Sequence, residues 1–128
     1  VIAIEEPIEI VHVSPWISQR AVGEHVPSVG DGVAAAMREG ADAIVVGEVH
    51  SAGDAAAVVE AVAGGHLVLT TLVAPRAGVA LECMIARLPV EQRELARALC
   101  VDALLGTIGP VVTRSGRSFE VVPRGKLS

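Results

Sequence analysis

Val1-Ile2-Ala3-Ile4 opens the chain as an unbroken apolar run that stops at Glu5-Glu6-Pro7. A run that is apolar at every position, rather than at alternate ones, is the pattern of a parallel strand buried on both faces. Ala43-Ile44-Val45-Val46 repeats it and ends at Gly47-Glu48, and Leu67 to Leu72 repeats it behind His66. Between the runs the apolar period changes to that of a helix. Val29, Val33, Ala36 and Met37 fall on one face, with Ser28 and Asp31 as caps and Gly40 as the stop. Ser51-Ala52-Gly53-Asp54 has the form of a capping box opening an Ala-rich helix that closes at Gly64-Gly65. Strand, helix, strand, helix, strand implies right-handed parallel crossovers and an open sheet with ligands at the strand C-terminal ends.

The remaining elements are less regular. Ile8 to Gln19 alternates loosely across Pro15 and is expected to form a strand pair or an exposed ribbon. Pro75 starts a helix to about Arg87, and Pro89-Val90-Glu91 starts another that runs to Leu105 before Gly106. Ile108 to Thr113 and Ser118 to Val122, joined through Arg114-Ser115-Gly116-Arg117, form an antiparallel hairpin pattern. A parallel strand needs a neighbour and a crossover helix. A chain that opens on one is therefore expected to be the second half of a larger domain, or to have its sheet completed by a partner. Its unpaired strand edge predicts self-association.

Composition narrows the picture. The 128 residues suit one domain, and with aromatics at 2% (Trp16 and Phe119) the core must be built from Val, Ala, Leu and Ile. Ten Lys and Arg against fifteen Asp and Glu give a net charge of −5. That leaves no basic field for phosphate backbones and argues against nucleic-acid binding. The longest uncharged apolar run, Leu67 to Ala74, is far short of the roughly 20 residues of a membrane span. No basic region followed by an apolar one opens the chain, so no export signal is expected. Cys83 and Cys100 lie in helix-like segments without paired-ligand spacing, as expected of reduced thiols in a cytoplasmic protein.

Glu9 comes after the first strand, Glu48 directly follows the second, and His66 introduces the third. A carboxylate at the end of a buried strand can face a phosphate, its Mg²⁺ shell or an attacking water without being sunk in the core. A metal site from Glu48, His50 and His66 is disfavoured, because Glu48-Val49-His50 is not a helical ligand pair and no third cluster supports it. Ser14, Ser28 and Ser51 lack a nucleophile elbow. Arg20, Arg38, Arg87 and Arg97 are by default solvated charges.

Taken together, Ile4-Glu5-Glu6-Pro7-Ile8-Glu9 with His12, Gln19-Arg20-Ala21-Val22-Gly23, Arg38-Glu39, Asp42-Ala43-Ile44-Val45-Val46-Gly47-Glu48 and Gly65-His66-Leu67-Val68-Leu69-Thr70-Thr71-Leu72 resemble the secretion-ATPase superfamily. These are the hexameric motors of type II secretion and of type IV pilus assembly and retraction. The resemblance extends through Leu88-Pro89-Val90-Glu91-Gln92-Arg93 to the final hairpin with Phe119-Glu120. It implies residues 1–128 as the C-terminal portion of a RecA-like α/β domain: a mostly parallel sheet flanked by helices, with an antiparallel hairpin. By position, Glu9 is the acidic-box glutamate that supports Mg²⁺ and the attacking water. Glu48 is the Walker B glutamate that orients that water and shares in holding Mg²⁺ through water, and His66 is the first histidine of the histidine box, expected to act in catalysis by sensing or positioning near the γ-phosphate. Arg20 is the arginine expected to reach a nucleotide or seal a subunit contact. Glu9, Glu48 and His66 should then converge on one cleft, with Glu9 and Glu48 closer to each other than to Glu120. The partners implied are further copies in a hexamer and the inner-membrane platform protein of a pilus or secretion machine. The location implied is cytoplasmic, peripheral to the inner membrane.

The departures bear on activity. The family's Arg and Asp after the Walker B glutamate are His50 and Ser51 here, its second box histidine is Val73, and Ala63, Cys83 and Pro110 replace a glutamate, an arginine and a glutamine. No G-x-x-x-x-G-K-[ST] phosphate loop is present, and Gly125-Lys126-Leu127 lacks the Ser or Thr that must follow the lysine. The expectation is an ATPase motor portion for pilus or type II pseudopilus dynamics that neither binds nor hydrolyses ATP as these residues alone. The alternative is a non-catalytic relative that regulates or scaffolds such a motor.

Overall fold

The computed structural model describes residues 1–126; Leu127 of the Gly125-Lys126-Leu127 stretch lies outside them. Four short strands, β1 (Ile2–Glu5), β2 (Ser18–Ala21), β3 (Ala43–Val46) and β4 (Leu67–Thr70), form one all-parallel sheet in the order β2-β1-β3-β4. Helices α1 (Val29–Arg38) and α2 (Ala52–Ala63) make the crossovers, followed by α3 (Ala80–Ile85) and α4 (Val90–Ala103). Both crossover helices begin as the sequence predicts. Ser28 Oγ accepts the Asp31 N–H, and Ser51 and Asp54 complete a reciprocal capping box.

The core lies on one face of the sheet. Ile2 and Ile4 of β1 and Ile44 and Val46 of β3 alternate onto that face and meet Val29, Val33 and Ala36 of α1 and Ala55, Val58 and Ala61 of α2. Small residues on α2 let the helix layer sit close, and α4 closes it with Ala96 and Cys100. Burial on both faces holds for β1, where Ala3 is also buried, but not for β4, where Leu67 and Leu69 are about half exposed. These two leucines flank the sheet edge opposite β2.

Other expectations change in detail. Ile8 to Ile17 form no strand pair; they run as an irregular loop with Ile10, Val11, Val13 and Trp16 exposed, and the strand that follows, β2, pairs with β1. An irregular stretch after Pro75 precedes a short 3₁₀ turn at Ala77–Val79, so α3 is much shorter than predicted. The hairpin forms as β5 (Gly106–Thr113) and β6 (Gly116–Pro123), with Gly116 at φ +128°. It is tied to the body where Thr107 donates to the Ala77 carbonyl at 2.8 Å. Among the described residues no helix is long and apolar enough to cross a membrane.

Candidate functional site

At the C-terminal edge of the sheet, the segments leaving β1, β3 and β4 enclose a cleft of about 380 Å³. Glu5, Glu6, Glu9 and His12 line it from the β1 side, and Gly47, Glu48 and His50 from β3. Thr71 lines it just after β4, and Ile4 and Val29 form part of its floor. The cleft thus gathers four carboxylates and two imidazoles, with no lysine or arginine among its lining residues.

The Glu48 turn is fixed on every side. The Gly47 N–H donates to the Ile4 carbonyl at 2.9 Å, and the Gly47 carbonyl accepts the Thr71 hydroxyl at 2.6 Å. The Val49 N–H donates to the Thr71 carbonyl, and the Val49 side chain is fully buried. Because alternate residues of an extended chain face opposite ways, burying Val49 turns Glu48 and His50 outward together. Their side chains approach to 3.5 Å. The His50 N–H donates to Asp54 at 2.9 Å and its carbonyl accepts from Arg87 at 2.9 Å. A Cβ at Gly47 would stand at contact distance, 3.4 Å, from the Glu5 Cα and the Ile4 carbonyl oxygen, so the turn packs closely on β1.

Glu9 sits on the loop after β1 and lines the same cleft as Glu48, while Glu120, on β6, is not among the lining residues. His66 does not join them. It precedes β4, whose register pairs Leu67 with Ala43 and Thr70 with Val46, so it stands at the N-terminal edge of the sheet. The four-residue strand separates it from the cleft by roughly 13 Å. Its Nδ1 lies 3.3 Å from the Ala61 carbonyl, where it closes the end of α2. The physical reason is polarity: parallel strands share one C-terminal edge, and a residue that introduces a strand is on the other one. Arg20, on β2, is outside the cleft lining and is committed to Glu39 through two hydrogen bonds of 3.0 and 2.6 Å. That pairing raises the guanidinium pKa and holds the Glu39 carboxyl below its ordinary value.

Reasoning from sequence overlooked Thr71, Gln19 and the holding roles of Asp54 and Arg87. His12 and His50 were visible as residues but not as cleft members; the signal for His50 was its place two residues after Glu48. Among the described residues no three His, Cys, Asp or Glu side chains come together as a metal site.

A parallel α/β sheet with an acidic cleft at its C-terminal edge is the class of structure this chain defines. The family model "Type II/IV secretion system protein" matches residues 1–105, and the chain belongs to that family. Among curated relatives, the twitching motility protein of Neisseria gonorrhoeae is 31% identical over 110 residues, covering 84% of this chain and 29% of that protein. The type IV pilus retraction ATPase PilT of Pseudomonas aeruginosa is 28% identical over 116 residues, covering 89% and 34%. The crystal structure of the pilus retraction motor PilT with bound ADP superposes with a TM-score of 0.81 at 30% identity, over 99% of this chain and 40% of that one. The Legionella pneumophila ATPase DotB gives a TM-score of 0.76 at 27% identity, over 94% and 35%. The chain thus spans about a third of the length of these relatives, and its fold is an α/β fragment of the RecA-like kind.

Proposed function

We propose that this chain is the water-activating part of a pilus or secretion motor ATPase. The observation that carries this is the meeting of Glu9 and Glu48 in one cleft at the C-terminal sheet edge. Glu48, on a turn fixed by hydrogen bonds from three neighbouring segments, is the group that orients the attacking water; an aligned base of this kind is worth about 10²–10⁴ in rate. Glu9, which lines the same cleft, would contact the hydration shell of the cation. Mg²⁺, bound with ATP, supplies charge neutralisation of the phosphates. His66 has no part in this site, since it lies at the opposite sheet edge.

A cleft lined by four carboxylates without a lysine or arginine repels a free triphosphate. Phosphate binding therefore requires a G-x-x-x-x-G-K-[ST] loop from outside these 128 residues. The half-exposed Leu67 and Leu69 beside the β4 edge are the surface against which the remainder of such a motor packs. The assembled form is a cytoplasmic ring of copies, a hexamer, working on pilin or pseudopilin through an inner-membrane platform protein.

The test is phosphate release from Mg²⁺-ATP. The 128 residues alone should give background rates and no ATP affinity. A form extended through a phosphate-binding loop should hydrolyse slowly and lose at least about 100-fold on Glu48→Gln. Turnover by the 128 residues alone refutes the need for an external phosphate loop. An extended form that assembles but never hydrolyses favours the second reading, a non-catalytic scaffold, to which His50 points: it lines the cleft where the family resemblance implies an arginine.

A further inference from the structure

The two carboxylates of the cleft are held very differently. Glu48 is clamped through the backbone on both sides, whereas Glu9 rides on a loop that buries almost nothing. Ile10, Val11 and Val13 are 68, 75 and 100% exposed. Among the described residues, the hydrogen bonds of the whole stretch from Glu6 to Val13 all go to one side chain, Gln19.

The amide of Gln19 is used on both of its ends. Its Oε1 accepts the His12 N–H at 2.8 Å, and its Nε2 donates to the Ile10 carbonyl at 2.7 Å and to Glu5 Oε2 at 2.8 Å. Gln19 itself is fixed on β2, in register with Ala3 of β1. No other uncharged side chain offers an acceptor and two donors at this reach. A glutamate in its place would lose both donors and set a second carboxylate against Glu5.

We propose that Gln19 is the positioning residue of the cleft, the tether that holds the loop after β1 and thereby presents Glu9 opposite Glu48. The presentation of Glu9 as functional rests on the motor reading above; the tether does not. Gln19→Leu keeps the volume and removes all three hydrogen bonds. Gln19→Asn keeps the amide but falls one methylene short, so it separates reach from polarity.

The first measurement is amide hydrogen exchange of this 128-residue chain. Both variants should speed exchange at His12 by at least about tenfold while the amides of β3 and α2 keep their protection. Unchanged exchange at His12 overturns the proposal, whatever activity shows. The second is a double-mutant cycle in the extended, hydrolysing form. Gln19→Leu should lower kcat to within about threefold of the Glu9→Gln level with KM for ATP changed less than about twofold, and should cost little more when combined with Glu9→Gln. Fully additive losses overturn the positioning role. A Glu9→Gln variant with normal turnover refutes the assignment of Glu9, while faster His12 exchange in Gln19→Leu still upholds the tether.

Discussion

Helix α1 contains two glycines, Gly30 and Gly32, and the same substitution at each should move stability in opposite directions. Neither has positive φ, so alanine strains neither backbone. Replacing an interior helical glycine by alanine gains up to about 1 kcal/mol, less near the first turn. At Gly30 a Cβ meets only Ser28 Oγ at 3.7 Å, an ordinary contact, so G30A should stabilise by about 0.5 kcal/mol. At Gly32 the Cβ lands 3.0, 3.1 and 3.3 Å from Cγ1, Cγ2 and Cδ1 of Ile4. Ile4 is 1% exposed in an interior strand and branched at Cβ, so it has no free rotamer into which to retreat. Overpacking of this kind costs about 1–3 kcal/mol, which exceeds the propensity gain and leaves G32A destabilised by about 1 kcal/mol. Paired urea and thermal unfolding curves read the difference, which should separate the two melting temperatures by several degrees. Ile4→Ala removes all three contacting atoms and should cost less combined with G32A than alone. A G32A variant as stable as G30A would refute the packing argument. Because Ile4 also forms the floor of the cleft, it would show that the floor yields easily.

The Arg20–Glu39 pair makes a pH-dependent contribution. Its carboxyl is held below the ordinary value of 4.5, so the stabilisation is complete above that pH and is lost as pH falls through the lower folded value; Arg20→Met should lower the urea midpoint at pH 7 and match the parent at the acid end. Burial raises the Cys100 thiol pKa, so native alkylation followed by mass spectrometry should mark half-buried Cys83 first and reach Cys100 only on unfolding. His66→Ala should cost less than about 1 kcal/mol of stability and leave hydrolysis by the extended form unchanged, a tenfold fall in rate being the result that would return His66 to the site.

What the sequence made legible was decided locally. The caps at Ser28 and Ser51 and the apolar runs of β1 and β3 state their structure within a few residues, and Glu48 is readable because it directly ends such a run. What stayed hidden depends on contacts distant in sequence. Gln19 acts across 14 residues on Glu5, and Arg87 across 37 on His50. The half-exposed face of β4 has the same composition as a buried one, so composition alone over-predicted its burial. His66 shares a motif with the residues after β4 but not their place, because the strand between them sets it at the opposite sheet edge.

The cleft therefore has a fixed wall and an adjustable one. On the β3 side, five hydrogen bonds to Ile4, Thr71, Asp54 and Arg87 surround Glu48, with Val49 buried beneath it. On the β1 side, one amide carries the loop. A group that must align a water loses rate steeply when displaced by an ångström, so it belongs on the fixed wall. A carboxylate acting through the hydration shell of an ion needs less exact placement, provided the loop that carries it stays tied to the cleft. The roles proposed for Glu48 and Glu9 match how each is held. Under the Gln19 proposal the loop that carries Glu9 is tied to β2, the strand on which the next residue, Arg20, is committed instead to Glu39.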